Sequence, residues 1–89
     1  MSTFILKIST PDGLRFDGEA ERIVVRGELG DLAVLAGHIP MMTTIRPGTC
    51  RVGLPDGTSR SGRTGGGILT VGKDKVIALL HSWDEEPAE

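Results

Sequence analysis

Thirteen glycines and five prolines are spread along 89 residues. They cut the chain into pieces of about four to eight residues, too short for ordinary helices and typical of strands. The punctuation alone therefore predicts an all-β protein, and the pieces carry strand patterning as well. Phe4, Leu6 and Ile8 alternate with Lys7 and Ser9, giving an opening strand over residues 3–9 one buried face. Pro11-Asp12-Gly13 turns it into a short strand over 14–16, which Asp17-Gly18 is expected to end. Ile23, Val24 and Val25 form a β-branched run within a strand over 22–26.

The stretch from Gly27 to Gly48 organises the middle of the chain. Gly27 and Gly30 bracket Glu28 and Leu29, so the backbone reverses where a side chain would clash. Residues 32–35 read as a strand, closed by Gly37-His38-Ile39-Pro40, because Pro fixes its own φ and pushes Ile39 into extended geometry. Residues 41–45 resume as a strand and stop at Pro47-Gly48. Ile39, Met41 and Met42 beside His38 are expected to form a contact ridge.

Cys50, Val52 and Leu54 share one face of a strand over 49–54, which returns as residues 58–62 across Pro55-Asp56-Gly57. The returning strand is polar, as suits a sheet edge that must not pair with strangers. Gly65-Gly66-Gly67 precedes a strand over 68–71, and Gly72-Lys73-Asp74 turns it into residues 75–81, whose core Val76 to Leu80 is the most apolar run and is expected deep in the interior. The acidic, proline-broken tail over 84–89 reads as frayed. Nine or ten such strands fit a small antiparallel β-sandwich or flattened barrel over residues 1–83, with turn signals at intervals of roughly ten residues.

Composition narrows the function. A net charge of -2, with one Trp, two Phe and no Tyr, argues against nucleic-acid binding, which needs a basic face and stacking platforms. Arg51, Arg60 and Arg63 read as one solvated face. The single cysteine forms no internal disulfide and reads as a small buried hydrophobe. No apolar run approaches the roughly 20 residues that span a bilayer, so direct membrane insertion is not expected.

Gly67 to Lys73 fits G-x-x-x-x-G-K, the start of a phosphate-binding loop, but Asp74 stands where a Ser or Thr would hold magnesium, and the stretch between the glycines is β-forming. His38 and His81 lack partners at metal-ligand spacing, and no nucleophile, base and orienting group can be assembled, so no catalytic residue, metal or cofactor is expected. Trp83 reads as a lid over one end of the core. His38 has two readings, one as a ring bonded to turn carbonyls and the other as a side chain projecting to a partner.

Taken together, G-E-L-G-D-L at 27–32, G-H-I-P at 37–40, T-T-I-R-P-G at 43–48 and G-G-I-L-T-V at 66–71 resemble, in order and spacing, the epsilon subunit of the F-type rotary ATP synthase, over its sandwich domain. The resemblance implies a ten-stranded sandwich with no catalysis of its own, a central-stalk rotor component at the cytoplasmic face of a bacterial inner membrane. It further implies two partners. Glu28, Gly30 and Asp31 would face the membrane c-ring, with Asp31 accepting hydrogen bonds from a ring loop. His38, Met42 and Thr43, and more weakly Thr10, would meet the gamma subunit. Most members continue into a pair of C-terminal helices that inhibit hydrolysis and in some cases bind ATP. Since this sequence stops at Glu89, neither an inhibitory arm nor a bound nucleotide is expected. The rival reading is a free-standing β-sandwich binding module unrelated to the synthase, with an enzyme third.

Overall fold

The computed structural model describes residues 2–37 and 39–87. Ten strands follow in order: β1 (Phe4–Thr10), β2 (Gly13–Ala20), β3 (Arg22–Gly27), β4 (Gly30–Leu35), β5 (Met41–Ile45), β6 (Gly48–Gly53), β7 (Ser59–Thr64), β8 (Gly67–Val71), β9 (Lys75–Leu80) and β10 (Asp84–Glu86). They form two five-stranded sheets, sheet I in the order β2-β1-β9-β8-β5 and sheet II in the order β10-β7-β6-β3-β4. The all-β sandwich read from the sequence is what the chain forms. One pair departs from antiparallel order, since β1 runs parallel to β9, with Leu6 opposite Val76 and Ile8 opposite Ala78.

The core is what alternation dictates. Leu6, Ile8, Leu69, Val76 and Ala78 of sheet I face Ile23, Val25, Val34, Cys50 and Val52 of sheet II, all buried. Full burial of each Ile, Leu or Val contributes roughly 1.5–3 kcal/mol. Close approach also explains the glycine run before β8. Gly66 has φ +99°, and a Cβ there would lie 2.6 Å from the Ile45 carbonyl oxygen, while a Cβ on Gly67 would collide with the carbonyl of Leu79. The buried Thr64 Oγ1 accepts a hydrogen bond from the Gly66 amide at 3.0 Å, and the Gly66 carbonyl accepts one from the His81 amide at 2.8 Å.

Several local expectations give way to the ladder. Asp17-Gly18 does not end a strand: β2 runs through it, with Asp17 opposite Lys7 and Gly18 opposite Leu6. Seven paired residues against β1 outweigh the turn preference of a dipeptide, and a one-residue shift between Ile8 and Ser9 absorbs the irregularity. The polar strand β7 is not an edge, because β10 covers it, Glu85 lying opposite Gly62. Residues 84–86 of the acidic tail are therefore paired, not frayed. The three arginines also part company. Arg51 and Arg63 are exposed, whereas Arg60 sits half-buried, its guanidinium 5.3 Å from the Phe16 ring centroid and bonded to Glu85.

The hairpins read from the sequence form as expected. Gly27 pairs with Gly30 around Glu28-Leu29. Gly30 carries the positive φ, +121°, while Gly27 is buried and a Cβ on it would lie 3.0 Å from the Gly30 carbonyl oxygen. At the β6–β7 turn Gly57 takes φ +89°, and Asp56 Oδ1 accepts from the amide and hydroxyl of Thr58, which hold its carboxyl below the usual range. Residues 67–73 form β8 and the following turn, which places the phosphate-loop lookalike in a ladder.

Candidate functional site

The strand expected deepest in the interior is buried on one face only. In β9, Val76, Ala78 and Leu80 point inward, while Leu79 is 54% exposed. Leu79 lies opposite Ile68, itself 46% exposed, and Ile68 lies opposite Thr44. Met42, 70% exposed, sits opposite Thr70, whose other partner is Ile77. The outer face of sheet I is therefore an apolar surface, and Ile5 extends it towards β1. At one end it dips into a groove of about 500 Å³ lined by Ser9, Thr10, Thr44, Ile68, Leu79 and His81. Apolar area of this kind on a small domain marks an interaction surface.

The expected contact residues distribute over this surface unevenly. Thr10 lines the groove, its hydroxyl donating to the Gly13 carbonyl at 3.2 Å. Met42 lies at the opposite side of the face. Thr43 does not share it, because the period of two turns Thr43 to the side of half-buried Met41 and buried Ile45, at the open edge of β5. The two methionines diverge for the same reason, Met41 packing against the core, so no single methionine ridge forms. His38 lies outside the described residues. Ile68, Leu79 and Ile5 were missed by reading each apolar run as core; the signal was an apolar residue at every position of Val76 to Leu80, more than one inward face can use.

A second surface is the tip of the β3–β4 hairpin. Leu29 is fully exposed, with Glu28 beside it. Asp31 is already engaged, its Oδ1 3.2 Å from Arg26 Nε across the ladder, which leaves the tip to Glu28 and Leu29. A groove of about 590 Å³ connects this tip with β5, lined by Glu28, Leu29, Asp31, Met41, Met42 and Thr43. Thr43 thus belongs with the hairpin groove, and Met42 stands where the two surfaces meet.

Among the described residues no three His, Cys, Asp or Glu side chains converge as a metal site, and no helix is long and apolar enough to cross a membrane. Cys50 is wholly buried, and that burial pushes its thiol up to about 12, where it is no nucleophile.

Residues 3–83 match the family of the ATP synthase delta/epsilon chain β-sandwich domain. The chain belongs to this family. Its relatives include the sodium-ion-specific ATP synthase epsilon chain of Acetobacterium woodii, 41% identical over 86 residues that cover 94% of this chain and 65% of the relative. The epsilon chain of Bacillus velezensis is 39% identical, covering 92% of this chain and 61% of its own length. This delta/epsilon-family chain spans about two thirds of the length of such relatives. Among solved structures, a chain of the Euglena gracilis mitochondrial ATP synthase, in its OSCP/F1/c-ring assembly, superposes with a TM-score of 0.89 at 22% identity, over 96% of this chain and 54% of that one. A chain of the central stalk and c-ring of the Tetrahymena thermophila enzyme gives 0.76 at 16% identity, over 89% and 63%. Likeness at such identities establishes the shared fold.

Proposed function

We propose that this domain is a non-catalytic rotor component of an F-type ATP synthase at the cytoplasmic face of a bacterial inner membrane, where it joins the gamma subunit to the c-ring. The observation that carries the reading is the apolar outer face of sheet I, around Leu79, Ile68 and Met42, in a chain of the delta/epsilon family. A gamma-type shaft covers that face, with Thr10 at its groove end. The hairpin tip, Glu28 and Leu29 with Gly30 and Asp31 behind them, meets the ring. Relatives named as ATP synthase epsilon chains support placing the domain in such a complex, and the two surfaces are assigned to the two partners on their geometry. The domain holds no cofactor and no nucleotide; it contributes shape and stiffness.

The test is binding of the chain to the gamma subunit of the same synthase, measured by calorimetry. Leu79→Glu removes a contact worth roughly 1.5–3 kcal/mol if buried, so affinity should fall at least about tenfold. The exposed position limits the cost in stability to about 1 kcal/mol. Unchanged affinity in a folded Leu79→Glu variant overturns the assignment of this face.

A further inference from the structure

We propose that β10 is a strap that opens and closes as a unit of its own over the edge of β7, locked by the Glu85 carboxylate. Three donors converge on that one carboxylate. Arg60 Nη2 and Trp83 Nε1 each reach Oε1 at 2.8 Å, and Arg60 Nε reaches Oε2 at 3.1 Å. A fork of this kind from arginine fixes orientation as well as position. The same guanidinium lies over the Phe16 ring, and its Nη2 is 3.4 Å from the Arg15 carbonyl oxygen. The lock thereby ties the strap to β7 and, across the end of the sandwich, to β2.

The strap also has a hinge plate. The Trp83 indole lies flat against Gly62, so closely that a Cβ on Gly62 would collide with the ring. Glycine at that position of β7 makes the seat, and the half-buried indole fills it against the edge of the core.

Against these anchors stands very little else. β10 is three residues long, pairs on one side only, and has exposed Asp84 and Glu85. Among the described residues, none of the buried hydrophobic side chains lies beyond Leu80, so the strap can leave without opening the interior. Segments with few buried contacts open at lower free energy than the strands beside them. Opening uncovers the backbone edge of residues 61–63 and empties the Arg60 fork, a site shaped for an extended segment that carries a carboxylate. That is the chemistry which closes it now.

Hydrogen exchange followed by mass spectrometry on the whole chain, with the fluorescence of its single tryptophan, tests this. Glu85→Ala should speed exchange within residues 60–64 and 84–86 by about tenfold, the worth of a hydrogen-bonded charge. The amides of β1 and β9 should stay as slow as before, and Trp83 should become open to acrylamide quenching. Arg60→Lys, which keeps the charge and loses the fork, should give the same pattern. Acceleration spread evenly over all strands would show that β10 belongs to the global unit, and no acceleration would show that Glu85 is no lock; either overturns the proposal. In the unsubstituted chain, strap amides should exchange with a weaker dependence on low denaturant than β9 amides, and coincident dependence would also overturn it.

Discussion

Cys50 shows how one side chain's surroundings set its chemistry. It sits in β6 opposite Gly62 with no exposed surface, so ionising it would strand a thiolate in the apolar interior. Its titration moves from an ordinary 9.0 to about 12. The unfolded chain releases this proton near 9.0, whereas the folded chain keeps it, so the fold loses stability as pH rises between those values. The contribution is fully present below pH 9.0 and falls by up to about 1.4 kcal/mol per pH unit above it. Denaturant melts from pH 8 to 11 should show an alkaline decline that is shallower in Cys50→Ala. Equal slopes in the two proteins would mean that the thiol ionises without resistance and is not enclosed as described.

At the scale of the element, the ladder decides where local preference and pairing disagree, and β2 is the clearest case. Asp17-Gly18 has the composition of a tight turn, yet Gly18 lies in register with Leu6 and has no positive φ. A Cβ added there would rest 3.8 Å from the Phe16 ring, an ordinary contact. Gly18→Ala should therefore stabilise the fold by about 0.5 kcal/mol, since alanine costs less backbone entropy than glycine in a strand. Thermal melting that shows destabilisation instead would return Gly18 to a turn. Hairpins were legible because their signals are local: Gly27 with Gly30, and Asp56 with Gly57, sit beside the strands they join. The partner of β7 was not legible, because nothing in Asp84-Glu85-Glu86 reads as a strand until Arg60 and Gly62 are brought to it. Nor was the outer face of β9, since an unbroken apolar run looks alike whether one or both of its sides are covered. In the candidate site, chain order alone could place Thr10 and Met42 on turns and strands, but only sheet register separates Met42 from Thr43.

Taken whole, the molecule is a block of about 29 × 27 × 24 Å, with an apolar sheet face on one side and a hairpin tip at another. Two cross-linked sheets over a close-packed core transmit load with little deformation, which suits the proposed position between shaft and ring. If the two surfaces serve different partners, they are separable by substitution. Leu79→Glu should weaken gamma binding, while Leu29→Ser, at the tip, should leave that binding within about threefold and reduce proton- or sodium-driven ATP synthesis by the assembled complex. Because the two side chains line different grooves, the double variant should show the sum of the single effects on gamma affinity, within about 0.5 kcal/mol. Loss of gamma binding in Leu29→Ser would merge the two surfaces into one. Full synthesis by a complex carrying Leu29→Ser would remove the hairpin tip from the path between ring and shaft, and leave the outer face of sheet I as the domain's one working contact.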